Sequence, residues 1–332
     1  MLLAVTPGDP EGIGPEVVWK SFQKNWDFLK RENISPVCFG ARAPFDAMGV
    51  RIRELKLTDF ASQAQAVPSE PTIQIVAAPI KTSKKSLPGF QCGWAIKTAV
   101  GEIRKGILGG LVTGPISKER LQQGGFMYPG HTEFLAALCK VRNVTMMLAN
   151  DQLKITLVTT HLPLSAVSKA ITPKAIERAV LHTSASLQDW FRISKPRIAV
   201  AALNPHAGEN GLLGKEEKKV IGPEITRLQK KHSGRFEISG PHPADTLFAQ
   251  NQIAELSEKF DAVVCMYHDQ GLIPVKLLDF PKTVNVTLGL PIIRTSVDHG
   301  VGFDIVGKNK ADPSSFGAAL LMAADLCKRN SK

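Results

Sequence analysis

The chain has 332 residues, of which 43% are hydrophobic, 21% charged and 6% aromatic. A chain of this length usually divides into two cores, and its composition excludes disordered, collagen-like and fibrous proteins. The net charge of +11 favours anionic partners in general, but the densest basic stretches, 81–85 and 230–232, contain no aromatic residues, so nucleic-acid binding is not expected.

Short β-rich runs alternate along the chain with amphipathic stretches, a pattern typical of the α/β class with a parallel sheet. Strands are predicted at 2–5, 72–76, 107–112, 154–159, 197–203, 262–266 and 283–287. Helices are predicted at 15–28, 93–104, 132–139, 173–191, 215–231, 244–251 and 314–328.

No targeting or membrane segment is recognisable. No apolar run approaches the roughly 18 residues that a membrane span needs, and the first residues lead into Thr6-Pro7-Gly8 without a basic region or cleavage site. The five Cys are odd in number and form no C-x-x-C pair, which argues against a disulfide framework or a thiolate zinc site. We therefore expect a protein of the reducing cytoplasm, without membrane partners.

Polar and glycine-rich segments follow five of the predicted strands. These segments are 6–15, 113–118, 160–161, 204–208 and 267–271. Because open α/β sheets bind ligands at the carboxyl ends of their strands, we expect the functional site at this edge.

Three of these strand ends carry a histidine: His161, His206 and His268. Their spacing matches no short-range metal motif, but neighbouring strands would bring the side chains together. Three neutral imidazoles suit a divalent ion such as Zn²⁺. From the residues alone, unrelated loop histidines are the favoured interpretation. Asp269 could orient His268.

A second group of residues suits an anion. Thr132 is placed to cap the helix that follows Gly130-His131, leaving N–H groups for an anion. Lys276, Asn285 and Arg294 add a point charge, an amide and a planar fork. Surface or capping roles explain these residues about equally well.

A conventional dinucleotide fingerprint is absent, because Gly12-x-Gly14 continues as Pro15-Glu16. Any NAD site must therefore be of another type.

The motifs as a set resemble the 4-hydroxythreonine-4-phosphate dehydrogenase family of vitamin B6 synthesis over nearly the whole chain. They are 6–16 (TPGDPEGIGPE), 129–133 (PGHTE), 160–164 (THLPL), 203–209 (LNPHAGE), 267–272 (YHDQGL) and 288–300 (LGLPIIRTSVDHG).

This resemblance implies roles for both groups of residues and reverses the interpretation of the histidines. The implied metal ligands are His161, His206 and His268. The ion would be zinc first, with magnesium or cobalt as alternatives. The implied contacts to a phosphorylated substrate are His131, Thr132, Lys276, Asn285 and Arg294.

A broader resemblance supports a nicotinamide cofactor. The opening segment and the segment 299–308 (HGVGFDIVGK) resemble those of isopropylmalate and isocitrate dehydrogenases. The implied cofactor contacts are His299, Gly300, Asp304 and Asp312. A carboxylate at Asp304 would repel a 2′-phosphate, so NAD is expected rather than NADP. Asp312 stands where isocitrate dehydrogenases commonly have an Asn, which departs from the pattern.

The resemblance also implies an isocitrate/isopropylmalate dehydrogenase-like fold, with two α/β/α subdomains flanking a cleft. The first subdomain would comprise 1–125 and 294–332, with both termini, and the second 126–293, with the metal histidines. The implied assembly is a homodimer with its active site at the subunit interface.

The implied reaction is metal-dependent oxidation of 4-phosphooxy-L-threonine by NAD, followed by decarboxylation to 3-amino-2-oxopropyl phosphate. Candidates for the general base are Lys276, Asp269 and Asp245. The nearest alternative is a sister dehydrogenase acting on threonate or erythronate 4-phosphate. A phosphate acyltransferase would need no NAD, and a basic binding protein would leave the strand-end histidines unexplained.

Overall fold

The computed structural model describes residues 1–80 and 86–330, so the basic stretch 81–85 lies outside the described residues. The chain divides into two compact units. The first comprises Met1–Arg142 and Leu290–Lys332, and the second comprises Asn143–Gly289.

The strands, in chain order, are β1 (Leu2–Thr6), β2 (Ser35–Gly40), β3 (Ile52–Glu54), β4 (Ile73–Ala77), β5 (Gly110–Thr113), β6 (Thr145–Ala149), β7 (Lys154–Leu157), β8 (Arg197–Ala201), β9 (Glu237–His242), β10 (Ala262–Cys265), β11 (Val284–Leu288) and β12 (Ile293–Ser296). The α-helices are α1 (Gly14–Arg31), α2 (Ala43–Ala47), α3 (Phe60–Gln63), α4 (Leu87–Arg104), α5 (Lys118–Gln123), α6 (His131–Cys139), α7 (Leu164–Ala170), α8 (Pro173–Asp189), α9 (Gly222–Lys231), α10 (Ala244–Ile253), α11 (His268–Asp279) and α12 (Ser314–Asn330).

The strands of the first unit form a parallel arrangement in the order β3-β4-β2-β1-β5-β12. Helix α4 packs on β1 and β2, and α12 packs on β5 and β12. Helix α1 begins with Pro15 in its first turn and ends with Lys30 and Arg31. Proline fits the first turn, where its missing N–H is not needed, and basic residues suit the negative end of the helix dipole.

The strands of the second unit follow the order β11-β6-β7-β10-β8-β9. Strands β7, β10, β8 and β9 are parallel, whereas β6 runs antiparallel to both β7 and β11. The predicted parallel sheet is therefore wrong for this part. The short connection from β6 to β7, four residues long, explains the difference, because a parallel crossover needs a dozen residues or more.

The core of the second unit lies on both faces of its strands. Ile198 and Val200 of β8 pack in one cluster with residues of α8 and α9. Ala199 and Ala201, which alternate with them, pack in another cluster with residues of α10 and α11. Because successive side chains of a strand point to opposite faces, helices cover both sides. The predicted α/β class is confirmed.

The unit boundaries differ from the predicted subdomain boundaries, lying after residues 142 and 289 rather than after 125 and 293. Residues 126–142 therefore belong to the first unit. The ring of Phe126 lies so close to Gly93 of α4 that a Cβ at position 93 would be 2.1 Å from it. Phe126 also contacts Phe134 of α6, with ring centroids 5.3 Å apart. These contacts attach α6 to the first unit. The predicted cleft stays a prediction.

Several elements were not predicted. They are β2, β3, β6, β9, β12, α2, α3, α5, α7 and α11. The predicted helix 215–231 is also divided, into a π-helical turn at Glu217–Ile221 and α9. None of the helices within residues 1–80 and 86–330 has the length and apolar character that crossing a membrane requires.

Candidate functional site

The three strand-end histidines belong to adjacent strands of the second unit. His161 follows β7, His268 follows β10 and His206 follows β8. Strand β10 lies between the other two and is parallel to both, so all three strands end at the same edge. Parallel neighbours are about 4.8 Å apart, and the topology on which the metal prediction depends is therefore present.

Two of the three rings are brought together. The ring centroids of His161 and His268 are 5.6 Å apart. His206 does not complete the group: among the described residues, no set of three or more His, Cys, Asp or Glu side chains is arranged to hold a metal ion. The structure therefore shows the three strand ends side by side and one close pair of rings, but not a three-imidazole set among the described residues.

The donor chemistry of the two hydrogen-bonded histidines fits a metal. Nδ1 of His206 lies 2.6 Å from Oε1 of Glu209, and Nδ1 of His268 lies 2.7 Å from Oδ1 of Asp269. A carboxylate accepts a hydrogen bond from the Nδ1–H group, so Nε2 of the neutral ring carries the lone pair that can bind a metal. Histidine ligands in metal sites commonly have this carboxylate partner. The sequence prediction included Asp269 but missed Glu209, although it lies only three residues after His206.

The backbone around His206 is unusual. His206, Ala207, Gly208, Glu209 and Asn210 all have positive φ, between 40° and 78°. The left-handed conformation costs about 1–2 kcal/mol for each non-glycine residue, so the surroundings must hold the segment in place.

Glu217 is the side chain that holds the start of this segment. It is buried, and its carboxylate accepts hydrogen bonds from the backbone N–H groups of Leu203 and Asn204 at 2.9 and 2.8 Å. Its Oε2 lies so close to Gly208 that a Cβ there would approach within 2.7 Å. A larger residue at position 208 would displace the carboxylate and with it the turn.

The candidates for the general base lie on α10 and α11. Asp269 and Lys276 are on α11. Asp269 is hydrogen-bonded to His268. The Nζ of Lys276 lies 5.5 Å from the ring centroid of Phe280. Asp245 is in the first turn of α10 and acts electrostatically on His206. The hydrogen bond to Glu209 and, to a smaller extent, the charge of Asp245 raise the pKa of His206.

The predicted anion site in the first unit starts at α6. The prediction that Thr132 caps this helix is wrong, because the helix begins at His131 and Gly130 is its N-cap. Gly130 lies in extended backbone, with φ of 176°, and has no side chain to cap the first turn. The first N–H groups of α6 are thus open to an external acceptor.

Arg294 lies beside this helix terminus. It is 3% exposed, and its Nη2 donates a 2.7 Å hydrogen bond to Oγ1 of Thr113. Burial lowers the pKa of Arg294 to about 9, which leaves the guanidinium charged at neutral pH. The planar guanidinium presents several N–H donors, an arrangement that suits a phosphate or carboxylate ligand. Thr113 was missed by the sequence prediction because its partner is 181 residues away.

The surroundings of His131 favour its neutral form. Burial and, secondarily, the charge of Arg294 hold the pKa of His131 well below its usual range. Its buried Nε2 has no hydrogen-bond partner within the described part of the chain. Buried polar atoms in native proteins are nearly always hydrogen-bonded, so this atom is available to a ligand group or a water molecule.

The other two predicted substrate contacts are in the second unit. Lys276 is in the last turn of α11, and Asn285 is a half-buried residue of β11 opposite Leu148 of β6.

The predicted cofactor segment packs on the opening loop of the first unit. The N–H of Ile13 donates a 2.9 Å hydrogen bond to the carbonyl of Val301. Glycine is required at position 12, since a Cβ there would lie 2.8 Å from that same carbonyl oxygen. The guanidinium of Arg120 covers the ring of Phe303 at 4.4 Å and forms ion pairs with Asp9 and Glu11. Arg120 and Phe303 were not predicted to have a role.

Two groups in this segment are available to a ligand. Nδ1 of His299 donates to the carbonyl of Gly300 at 2.9 Å, and its buried Nε2 has no hydrogen-bond partner among the described residues. Asp304 is exposed in a short 3₁₀ turn, Phe303–Ile305. Asp312 instead accepts a 2.8 Å hydrogen bond from the N–H of Ser314, at the start of α12.

A cavity of about 690 Å³ lies next to the segment. Its walls include Gly12, Trp19, Met48, Val306 and Asn309. Its volume is in the range typical of small-molecule sites.

Comparisons with known proteins agree with this description. A family model for the pyridoxal phosphate biosynthetic protein PdxA matches residues 32–323. A 4-hydroxythreonine-4-phosphate dehydrogenase from Caulobacter vibrioides is 43% identical, covering 98% of both chains. Crystal structures of such dehydrogenases from Klebsiella pneumoniae and Burkholderia phymatum match with TM-scores of 0.86 and 0.82, at 34% and 38% identity, each covering 98% of both chains.

These relatives are dehydrogenases, and the class of protein that fold and motifs define is an α/β oxidoreductase. The chain belongs to the PdxA family of pyridoxal phosphate biosynthetic proteins. The family resemblance predicted from the motifs is thus confirmed.

Proposed function

We propose that the protein oxidises 4-phosphooxy-L-threonine with NAD and decarboxylates the product to 3-amino-2-oxopropyl phosphate. The secondary alcohol loses a hydride to NAD⁺ and a proton to a base, giving a ketone and NADH. The ketone lies β to the substrate carboxylate, which leaves as CO₂, and the enolate that remains takes up a proton to give the product. The observation that carries the proposal is the placement of a histidine at the end of each of three adjacent parallel strands, β7, β10 and β8.

We assign divalent-metal binding to His161, His206 and His268. The 5.6 Å separation of the His161 and His268 rings and the carboxylate partners of His206 and His268 support this assignment. Zinc suits three imidazoles best, with magnesium or cobalt as alternatives. When bound, such an ion acidifies an alcohol and polarises a carbonyl. Glu209 and Asp269 have the role of holding two rings with Nε2 unprotonated.

We assign recognition of the phosphorylated substrate to His131, Thr132 and Arg294 in the first unit and to Lys276 and Asn285 in the second. The buried charge of Arg294 and the unpartnered Nε2 of neutral His131 support an anion there. The first N–H groups of α6 add further donors.

We assign the dinucleotide to the segment that contains His299, Gly300, Asp304 and Asp312. The unpartnered Nε2 of His299 and the exposed Asp304 fit ribose hydroxyl groups, because both accept hydrogen bonds. Asp304 also favours NAD over NADP by repelling a 2′-phosphate. Asp312, the last of these proposed contacts, also accepts a hydrogen bond from the N–H of Ser314 and so fixes the end of the segment.

Three side chains stay candidates for the proton acceptor: Lys276, Asp269 and Asp245. Asp269 already accepts a hydrogen bond from His268, and in that state it orients the ring. The pH profile of kcat in Lys276→Met and Asp245→Asn distinguishes the other two.

The test is NADH formation, followed by absorbance, with each of three substrates: 4-phosphooxy-L-threonine, threonate 4-phosphate and erythronate 4-phosphate. We expect turnover with the first and release of CO₂ in equal amount. Preference for either of the other two would favour the sister dehydrogenase, and no reaction with any of them would contradict the proposed function.

We further propose a homodimer in the reducing cytoplasm. Ile273, Leu277 and Phe280 are spaced along one face of α11 and its end, and are 65%, 85% and 63% exposed. An apolar stripe of this kind indicates an interface, and we assign it to a second copy of the chain. The five Cys are buried free thiols, as expected in a reducing compartment. Light scattering of the wild type and of Leu277→Asp tests the dimer.

A further inference from the structure

Residues 309–311, within the segment that we assign to NAD, are hydrogen-bonded to side chains of helix α1, chiefly Lys20. Lys20 Nζ donates hydrogen bonds to the carbonyls of Asn309 and Ala311, both at 3.0 Å. Its third hydrogen bond goes to Oε1 of Glu16, one helical turn away, at 2.7 Å. An ammonium group has three donors, so all of them are used within the protein. Lys20 is therefore suited to holding backbone rather than to binding a ligand.

Glu16 completes the attachment from the same helix. Its Oε1 accepts a 3.0 Å hydrogen bond from the N–H of Ala311. The side chains of Glu16 and Lys20 are 12% and 23% exposed. Hydrogen bonds that involve charged groups are stronger than neutral ones, especially when water is partly excluded. Together the two side chains bind both the carbonyl and the N–H of Ala311.

The backbone that these hydrogen bonds hold is mostly exposed and includes a residue in the left-handed conformation. Asn309 has a positive φ of 55° and is exposed, as are its neighbours Lys308 and Lys310. The segment 309–311 connects the turn with Asp304 to Asp312 at the start of α12. A shift of 309–311 would therefore move both carboxylates that we assign to the dinucleotide.

We propose that Glu16 and Lys20 are positioning residues for dinucleotide binding, which hold 309–311 so that Asp304 and Asp312 are preset for NAD. The inference rests on the proposed function, because it takes the loop to be the NAD site. Preset contacts raise affinity by reducing the ordering that binding requires. Neither side chain is expected to act on the phosphorylated substrate or on the hydride transfer.

The test compares Lys20→Met with Lys30→Met, each in the full-length protein. Lys30 is a matched control, since it lies on the same helix and its Nζ also donates to a backbone carbonyl, that of Ser69, at 3.3 Å. Methionine keeps much of the apolar stem and removes the donors. Glu16→Gln is the second variant, which keeps an acceptor for the Ala311 N–H but loses the charge.

Calorimetric titration with NAD should give a Kd about tenfold higher for Lys20→Met, as loss of charged hydrogen bonds implies, and a smaller rise for Glu16→Gln. Hydrogen exchange at the Ala311 amide should become faster in both variants. The Kd of Lys30→Met, and kcat and the substrate KM of all variants at saturating NAD, should stay within about twofold of wild type.

Equal NAD affinity in Lys20→Met and Lys30→Met would overturn the inference, whether or not exchange at Ala311 becomes faster. If Lys20→Met does not fold, Glu16→Gln decides in the same way. A wild-type protein that binds no NAD would overturn the proposed function and this inference with it. Wild-type NAD binding with unchanged affinity in the variants would overturn the inference alone.

Discussion

The residues of the first unit to which we assign anion binding and the strand-end histidines of the second unit are held in different ways. Arg294 is 3% exposed and bonded to Thr113, and the Nε2 of His131 is buried. The side chain of His206, by contrast, is 63% exposed, and its ring does not join the other two in a metal-binding set among the described residues. Burial thus restricts the first group, whereas we propose that a metal ion brings the second together.

We expect the largest effect from His206→Ala, because it removes one of the three histidines to which we assign the metal ion. Bound metal should be lost, and turnover should fall about 100-fold or more while the fold persists. Metal analysis and circular dichroism of the purified variant check this. His232→Ala, in the same unit but after α9, is the control. Full metal occupancy in His206→Ala would remove His206 from the site.

Arg294→Lys tests the proposed contact between the buried guanidinium and the substrate phosphate. Lysine keeps the charge but loses the planar fork and the geometry of the bond to Thr113. We expect the KM for the phosphorylated substrate to rise about 10- to 100-fold, with an unchanged Kd for NAD. Arg53→Lys, on the exposed strand β3, is the control. An unaltered KM would place the phosphate elsewhere.

Asp304→Asn should change cofactor choice by a smaller amount. The amide removes the repulsion of a 2′-phosphate but keeps an acceptor for a ribose hydroxyl. The ratio of kcat/KM for NAD to that for NADP should decrease severalfold, chiefly through better use of NADP. Kinetics with both cofactors check this. Loss of stability with the same ratio would show that Asp304 only supports its turn.

We expect the smallest effect from His131, which should change how the free energy of unfolding depends on pH. Burial holds the pKa of His131 below the ordinary value of 6.5, so the unfolded chain binds the proton more tightly. The contribution to stability is fully present above pH 6.5 and is lost as the pH falls towards the folded-state pKa, by at most about 1.4 kcal/mol per pH unit.

Urea unfolding at about pH 7.5 and about pH 5.5 measures this loss. In His131→Gln the difference in unfolding free energy between the two pH values should be smaller than in the wild type. His182 and His242, whose pKa values are also lowered by burial, keep part of the dependence. An equal difference in both proteins would show that His131 titrates as an exposed histidine.

The sequence predicted the strand-end histidines because polar loops after β-rich runs are visible locally. It missed β2, whose six residues are all buried, since a fully buried strand has no alternation. It missed α11, which has Pro274 in its interior, a residue that normally ends a helix. The left-handed segment 206–210 could not be predicted either, because Ala207 and Glu209 have no preference for positive φ.

Long-range contacts were also out of reach of the sequence. Thr113 and Arg294, and Lys20 and Ala311, are 181 and 291 residues apart, and only the folded chain brings them together. The family resemblance named the candidate site residues, whereas the structure supplied the side chains that hold them, such as Glu209 and Thr113.

Metal removal tests the central claim most directly, because it separates the buried group of the first unit from the histidines to which we assign a metal ion. Protein treated with a chelator should still bind 4-phosphooxy-L-threonine in calorimetry, with affinity that depends on Arg294, but should produce no NADH until Zn²⁺ or another divalent ion is added. Full NADH production by metal-free protein would contradict the account.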